Sequence, residues 1–262
     1  MAVSVGIRDV KDGIAMWRLW MRMGWMDIIR RYRRTKIGPF WGTMSTAAFI
    51  GTMGFLYAGI FKQDLHEYLP YLSSGFTVWI PLASMITEST GTFIAVEGII
   101  KQTNLPFTVF VWSALVRNLI VFLHNVQVFV FVAIIFRVDV TWNTLLIAPA
   151  LLLLCINAIW IGSVISILCT RYRDLQPLLG TIVQMTFFLT PIFWSPGQAG
   201  RVRTVFVDFN PVYHFIDILR SPMLGKAPQM VSWYIVGGIT VVGWMFMIFC
   251  YNRYRHRIIL WM

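Results

Sequence analysis

From Pro177 to Trp194 the chain runs without one ionisable side chain. As a helix rising about 1.5 Å per residue, that run covers roughly 27 Å, close to the hydrocarbon thickness of a bilayer. A charged cluster, Arg171, Arg173 and Asp174, precedes it. After Trp194 the chain neither stops nor turns back at once. Ser195 to Met230 is too polar to cross a membrane and too apolar for a plain solvent loop. Inside it a short amphipathic helix is readable, with Asn210 as N-cap, Pro211 in the first turn, and Val212, Phe215, Ile216 and Leu219 on one face. A crossing helix followed by a half-buried helical excursion suggests a pore mouth. The plainer alternative is an amphipathic loop lying on the lipid.

Composition agrees with a membrane class. Hydrophobic residues make up 58% of the 262 and charged residues 13%, where a soluble domain carries about twice that charge. The expected fold is an all-α polytopic membrane protein. A net charge of +11 could point to nucleic acid, but basic residues beside apolar spans report membrane orientation more simply. Cys155, Cys169 and Cys250 sit in or beside apolar runs without metal-ligand spacing, so buried free thiols are expected. The first 36 residues are polar and basic, with no cleavable signal peptide, so the first span is expected to act as its own insertion signal.

In residues 1–39, Ile14, Trp17, Met21, Trp25, Ile28 and Tyr32 recur at steps of three and four, and Arg18, Arg22, Arg30, Arg31, Arg33 and Arg34 supply a basic flank. This predicts an amphipathic helix in the membrane interface; a nucleic-acid arm built on Arg30 to Arg34 is the weaker reading. Six spans are expected: Phe40–Phe61, Leu72–Val96, Phe107–Phe136, Leu145–Cys169, Pro177–Trp194 and Val231–Tyr251. Glycines and hydroxyls in the first span suit close helix packing. Glu88 in the second is open to structural pairing or a transport role. In the third, Arg117 can snorkel to headgroups and His124 reads as a packing residue. Fifteen Lys and Arg fall on the side of the two termini and six on the other, with Arg117 left out as intramembrane. This predicts cytoplasmic termini, an external excursion over 195–230 and a cytoplasmic tail over 252–262, all within a single domain, 1–262.

The chemistry is bounded chiefly by what is missing. The sequence has no G-x-x-x-x-G-K-[ST] loop, no H-E-x-x-H, no G-x-S-x-G and no paired intramembrane carboxylates, and His66, His124, His214 and His256 are scattered. An intramembrane enzyme and a self-sufficient ion-driven carrier both lack their machinery. A pore-forming subunit driven by another chain remains.

RRYRRTKIGPFW at Arg30 to Trp41, NLP at Asn104 to Pro106, RYRDL at Arg171 to Leu175, TPIFW at Thr190 to Trp194 and NPVYHFIDILRSPMLG at Asn210 to Gly225 occur in this order over nearly the whole chain. In these the sequence resembles the membrane subunit of type-2 ABC export permeases, in particular those exporting O-antigen and other cell-surface polysaccharides. The resemblance implies a homodimer in the bacterial inner membrane, docked to two cytoplasmic ATP-binding subunits that hold ATP and magnesium, with no cofactor on this chain. It implies a coupling helix at Glu97, Lys101 and Asn104. Arg171, Arg173 and Asp174 would support that contact or form a plain basic flank with a local Arg–Asp pair. It also implies short re-entrant helices at the outer mouth, where Asn210, Pro211, Tyr213 and Arg220 would close the resting channel. A lipid-linked polysaccharide would approach at the interface helix. Teichoic acid, capsular polysaccharide, lipid or drug are the alternative cargoes.

A sugar ring presents an apolar CH face that stacks on aromatics, and a moving glycan must be held weakly and repeatedly. Trp41, Phe49, Phe55, Tyr57, Phe187, Phe188, Phe193 and Trp194 suit such a channel. Lipid-facing belts and helix cores use the same residue types.

Overall fold

The computed structural model describes residues 5–33, 35–38, 40–197, 200 and 204–262. Arg34, Arg201 and Arg203 of the charge count, and Pro39 of the Arg30–Trp41 motif, lie outside them. The helices are α1 (Val5–Ala15), α2 (Trp17–Tyr32), α3 (Phe40–Phe61), α4 (Leu65–Ser89), α5 (Glu97–Gln102), α6 (Thr108–Ile135), α7 (Ile147–Arg171), α8 (Leu175–Leu189), α9 (Pro211–Met223) and α10 (Met230–Trp261). Among the described residues there is no strand. Five helices are long and apolar enough to cross a membrane: α3, α4, α6, α7 with the 3-10 turn before it, and α10. The helix expected over Pro177–Trp194 is shorter. α8 has 15 residues, about 22 Å, and falls short of a bilayer core.

The predicted interface helix is two helices that break at Met16. Gly24 lets α2 lie directly on α6, since a Cβ there would stand 2.8 Å from the Ser113 carbonyl oxygen. Trp20 stacks on Trp112 at 5.3 Å. Of the expected apolar face, Ile28 is buried while Ile14, Trp17, Met21 and Trp25 stay exposed beside Arg18 and Arg22. That outward stripe is what a helix needs to lie in a membrane interface.

α3 keeps its expected bounds, but α4 is displaced seven residues towards the N-terminus. Asp64 caps it, its Oδ1 accepting from the His66 amide at 3.0 Å. At the other end Thr87, Ser89 and Thr90 bond back to carbonyls of their own turn, and the chain loosens at Gly91. Hydropathy alone misplaces both ends, because it discounts the capped polar turn and credits the apolar residues after Ser89. α10 runs 32 residues, so the expected tail over 252–262 is a helical extension. α1 lies along it: the Gly6 amide donates to Asn252 Oδ1 at 2.7 Å, and Arg255 pairs with Asp9 at 3.1 Å. The N-terminal helix and the C-terminus therefore share one end of the bundle, here called the termini end.

At the far end α9 begins as expected, with Pro211 following the Asn210 cap. Its depth differs. Every residue from Tyr213 to Arg220 is buried, and Phe215, Ile216, Ile218 and Leu219 pack against Val78 and Trp79 of α4, Leu154 of α7 and Val236 of α10. α9 is a core element and not a half-buried excursion, because its polar face finds partners too.

Candidate functional site

α3, α4 and α8 line a half-open cavity of about 410 Å³. Helical spacing places its walls: Phe49, Met53 and Tyr57 from α3, Leu72, Phe76 and Trp79 from α4, Gly180, Val183, Gln184, Phe187 and Phe188 from α8, with Phe193 of the following turn across the end. The rings touch one another. Phe49 stacks on Phe76 at 4.5 Å, Phe187 meets Trp79 at 5.6 Å, and Phe193 meets Tyr57 at 5.5 Å and Phe187 at 5.8 Å. The lining carries no charge, and Gln184, Tyr57 and the Trp79 indole are its hydrogen-bonding side chains. Such a wall can stack apolar ring faces and offer a few polar contacts; it holds no nucleophile.

Five of the eight aromatics singled out in the sequence meet here: Phe49, Tyr57, Phe187, Phe188 and Phe193. Trp41 and Phe55 are 62% and 68% exposed on another face of α3. Trp194 lies off the lining, its Nε1 donating to the Phe188 carbonyl at 3.2 Å. Phe76 and Trp79 escaped sequence reasoning, although Leu72, Gly75, Phe76 and Trp79 repeat at the helical interval.

The turn Thr190–Trp194 ends α8 inside the bundle and leaves carbonyls without helical donors, which a membrane interior does not tolerate. Side chains supply them. Tyr68 donates to the Phe193 carbonyl at 2.5 Å, and Tyr71 Oη lies 3.1 Å from both the Pro191 and Trp194 carbonyls. Arg220, 5% exposed, donates from Nη1 to the Pro191 carbonyl at 2.7 Å and to Tyr71 Oη at 2.6 Å, with its guanidinium over the Tyr71 ring at 4.3 Å. Asn210 joins the same corner. Its Oδ1 accepts from the Val212 amide at 3.0 Å while its Nδ2 donates to Thr190 Oγ1 at 2.9 Å. Of the four residues expected at an outer mouth, Asn210 and Arg220 hold this turn, Tyr213 is buried beside His214, and Pro211 is exposed at the helix start.

At the termini end Glu97 and Lys101 pair across one turn of α5. The Lys101 ammonium, with Arg173 a smaller influence, holds the Glu97 carboxyl below its ordinary range. Asn104 is exposed and lines a cleft with Asp9, Asp12 and Arg255. Arg171 turns elsewhere, stacking on Tyr172 and on Trp261 at 5.0 Å each, so α10 takes this side chain. Arg173 and Asp174 are exposed.

Two expectations for polar residues are settled nearby. Arg117 does not snorkel: its Nη1 reaches Asp27 and its Nη2 reaches Glu88, both at 2.9 Å. Glu88 also accepts from Arg31 at 2.8 Å, and Asp27 from Arg30 at 2.6 Å. Glu88 is thus a structural partner that fastens α2 to α4 and α6. Because each arginine keeps a second acid or water, Glu88→Gln is expected to lower stability by only about 1 kcal/mol. Unfolding of the purified chain in mixed micelles measures it. His124 packs as expected, its Nδ1 at 2.8 Å from the Ile120 carbonyl and its ring against Phe40. The three cysteines are free. Among the described residues no group of His, Cys, Asp and Glu is placed to hold a metal ion.

A model of the ABC-2 type transporter family matches residues 18–224. Two O-antigen export system permease proteins RfbA of Klebsiella pneumoniae are each 24% identical to this chain, over 239 and 236 residues. Each alignment covers 88% of this chain and 90% of the relative.

Proposed function

The chain belongs to the ABC-2 type transporter family, and from that premise we propose that it is the channel-forming membrane subunit of an ATP-driven exporter of lipid-linked, O-antigen-like polysaccharide in the bacterial inner membrane. The observation that carries the cargo is the uncharged aromatic cavity between α3, α4 and α8, whose facing rings suit repeated weak stacking on sugar. The names of the two relatives point the same way.

In this reading the chain makes six crossings and works with a partner. α1 lying against the end of α10 supports an even number of traverses, so that α8 together with the Thr190–Trp194 turn acts as the sixth beside the five long helices. α9 then closes the outer mouth and both termini face the cytoplasm. α3 and α8 leave Phe55, Ile60, Met185 and Phe188 exposed, a surface that a second copy would cover to complete the conduit. The chain has no phosphate-cradling loop, and we assign ATP and magnesium to two cytoplasmic subunits docked at α5. The exposed ends of Glu97 and Lys101, with Asn104, Arg173 and Asp174 nearby in sequence, are the contacts we assign to that docking. Arg171 serves indirectly by fixing α10 to the loop before α8.

The test is reconstitution. The chain is co-purified with a candidate ATP-binding partner subunit, placed in vesicles and supplied with lipid-linked glycan. ATP-dependent glycan transfer supports the reading, and transfer of a lipid or drug in place of glycan replaces the cargo. Within this assay Phe187→Ala is expected to slow transfer about five- to tenfold, the worth of one aromatic contact of about 1 kcal/mol. Trp41→Ala, off the cavity, should leave it within about twofold.

A further inference from the structure

We propose that the cavity between α2, α4 and α6 at the termini end binds the phosphate of an anionic membrane phospholipid. It measures about 680 Å³, larger than the aromatic cavity, and stands half open. Helical spacing along α2 puts Asp27, Arg30 and Arg31 on one wall; Glu88 of α4 and Arg117 of α6 complete its charges. Three guanidinium groups meet two carboxylates there, so the wall keeps one positive charge. Among the described residues its lining holds no other ionisable side chain.

The bonds decide where that charge is available. All four carboxylate oxygens are taken. Asp27 Oδ1 accepts from Arg30 at 2.6 Å and Oδ2 from Arg117 at 2.9 Å, while Glu88 Oε1 accepts from Arg31 at 2.8 Å and Oε2 from Arg117 at 2.9 Å. Arg117 is consumed, since its Nε, Nη1 and Nη2 each bond an acid. Arg30 and Arg31 each reach an acid through Nη2 alone, which leaves each guanidinium two nitrogens that no carboxylate among the described residues occupies. Their side chains are 70% and 45% exposed. A guanidinium edge presents paired N–H donors that match two phosphate oxygens.

The occupant must also be amphiphilic, because Met23, Ile99 and Phe110 give the same cavity an apolar lining. The exposed Trp17, Met21 and Trp25 suit α2 to headgroup depth. At that depth phospholipid phosphate is the abundant anion, and basic pockets between membrane helices select anionic headgroups. Neither α3 nor α8, which wall the aromatic cavity, contributes a residue. The site is therefore assigned to a resident lipid and not to the cargo, and the inference does not depend on what the aromatic cavity carries. A phosphate held by Arg30 and Arg31 ties the end of α2 to the headgroups while Arg117 keeps it on α4 and α6.

The test adds dioctanoyl phosphatidylglycerol to the full chain in dodecyl maltoside micelles and follows bound lipid by native mass spectrometry. The first molecule should bind about tenfold tighter than dioctanoyl phosphatidylcholine, whose choline cancels the headgroup charge. Arg30→Gln with Arg31→Gln should remove most of that preference. Arg18→Gln with Arg22→Gln, both exposed on α2 and off the cavity, should leave it within about twofold. Glu88→Gln supplies a sign that a merely structural cluster would not give: it takes a negative charge from the wall and should tighten phosphatidylglycerol binding even as it weakens the fold. Equal binding of the two lipids by the unaltered chain, equal loss from the Arg18 and Arg22 pair, or weaker binding by Glu88→Gln overturns the proposal. Displacement of the lipid by inorganic phosphate at the same concentration would make the occupant a soluble anion, and displacement by lipid-linked glycan would give the site to the cargo. Either result overturns the assignment to a phospholipid. The contrast between the two lipids uses the unaltered chain, so it decides the proposal even where a variant fails to fold.

Discussion

Replacing Asp9 with alanine is expected to destabilise the chain by about 3 kcal/mol, more than any other single change considered. Asp9 is 2% exposed and acts as a cap from outside the helix it caps. α6 starts without a side-chain cap of its own at Phe107. In its place Asp9 Oδ2 accepts from the Phe107 amide at 3.2 Å, and Oδ1 accepts from the Thr108 amide at 3.1 Å and the Thr108 hydroxyl at 3.0 Å. Arg255 of α10 completes the set from Nε at 3.1 Å, its guanidinium also resting 5.7 Å from the Phe107 ring. Alanine would leave two buried amides unpaired and the positive end of α6 unopposed. Part of the loss is recovered because Arg255 is partly exposed and can turn to water. Asparagine should restore less than half: its one oxygen can serve Thr108, but its amide then points at the Phe107 N–H or at Arg255, donor against donor. Titration from dodecyl maltoside into SDS reads the difference. A loss below about 1 kcal/mol for Asp9→Ala would mean that α1 is dispensable to α6.

The same contact explains which features could be read in advance. Asn210–Pro211 is a local signal, since the cap and the first turn lie within three residues, and α9 begins where it says. The burial of α9 is not local. His214, Asp217 and Arg220 look like a wet face until Ser232, Gln229, Tyr71 and Pro191 arrive from other elements. Arg117 reads as able to reach the headgroups because its acids, Asp27 and Glu88, lie ninety and twenty-nine residues away on other helices. The aromatic cavity divides similarly. Phe187, Phe188 and Phe193 sit close together on a short helix and its turn, and all three line the cavity. α3 is apolar all round, and no periodicity separates Phe49 and Tyr57, which face the cavity, from Trp41 and Phe55, which do not. The bounds of α4 were lost for a third reason: hydropathy counts side chains but not the hydrogen bonds by which Asp64, Thr87 and Ser89 start and stop a helix.

Gly75→Ala is the second large expectation, about 2 to 3 kcal/mol. Gly75 lies on the α4 face between the cavity residues Leu72 and Trp79, and the Arg220 guanidinium fills the space its missing side chain leaves. A Cβ there would stand 2.9 Å from Arg220 Cζ and 3.0 Å from Nε, with Nη2 nearer still. A long side chain would normally swing aside at little cost. Arg220 is pinned by the Pro191 carbonyl, the Tyr71 hydroxyl and the Tyr71 ring, so any move that clears the methyl breaks the bonds holding the Thr190–Trp194 turn. The methyl should therefore act at a distance, loosening Phe193 where it closes the cavity. Its signature is coupling. Arg220→Met removes a buried charge whose Nε and Nη2 find no partner among the described residues and supplies a narrower, flexible chain, so by itself it should cost less than Gly75→Ala. In the double variant the methyl meets a side chain that can yield, and the combined loss should fall short of the sum by about 1 to 2 kcal/mol. Simple additivity of the two losses would show that Gly75 and Arg220 do not act on each other, and the turn over the cavity would then need another restraint.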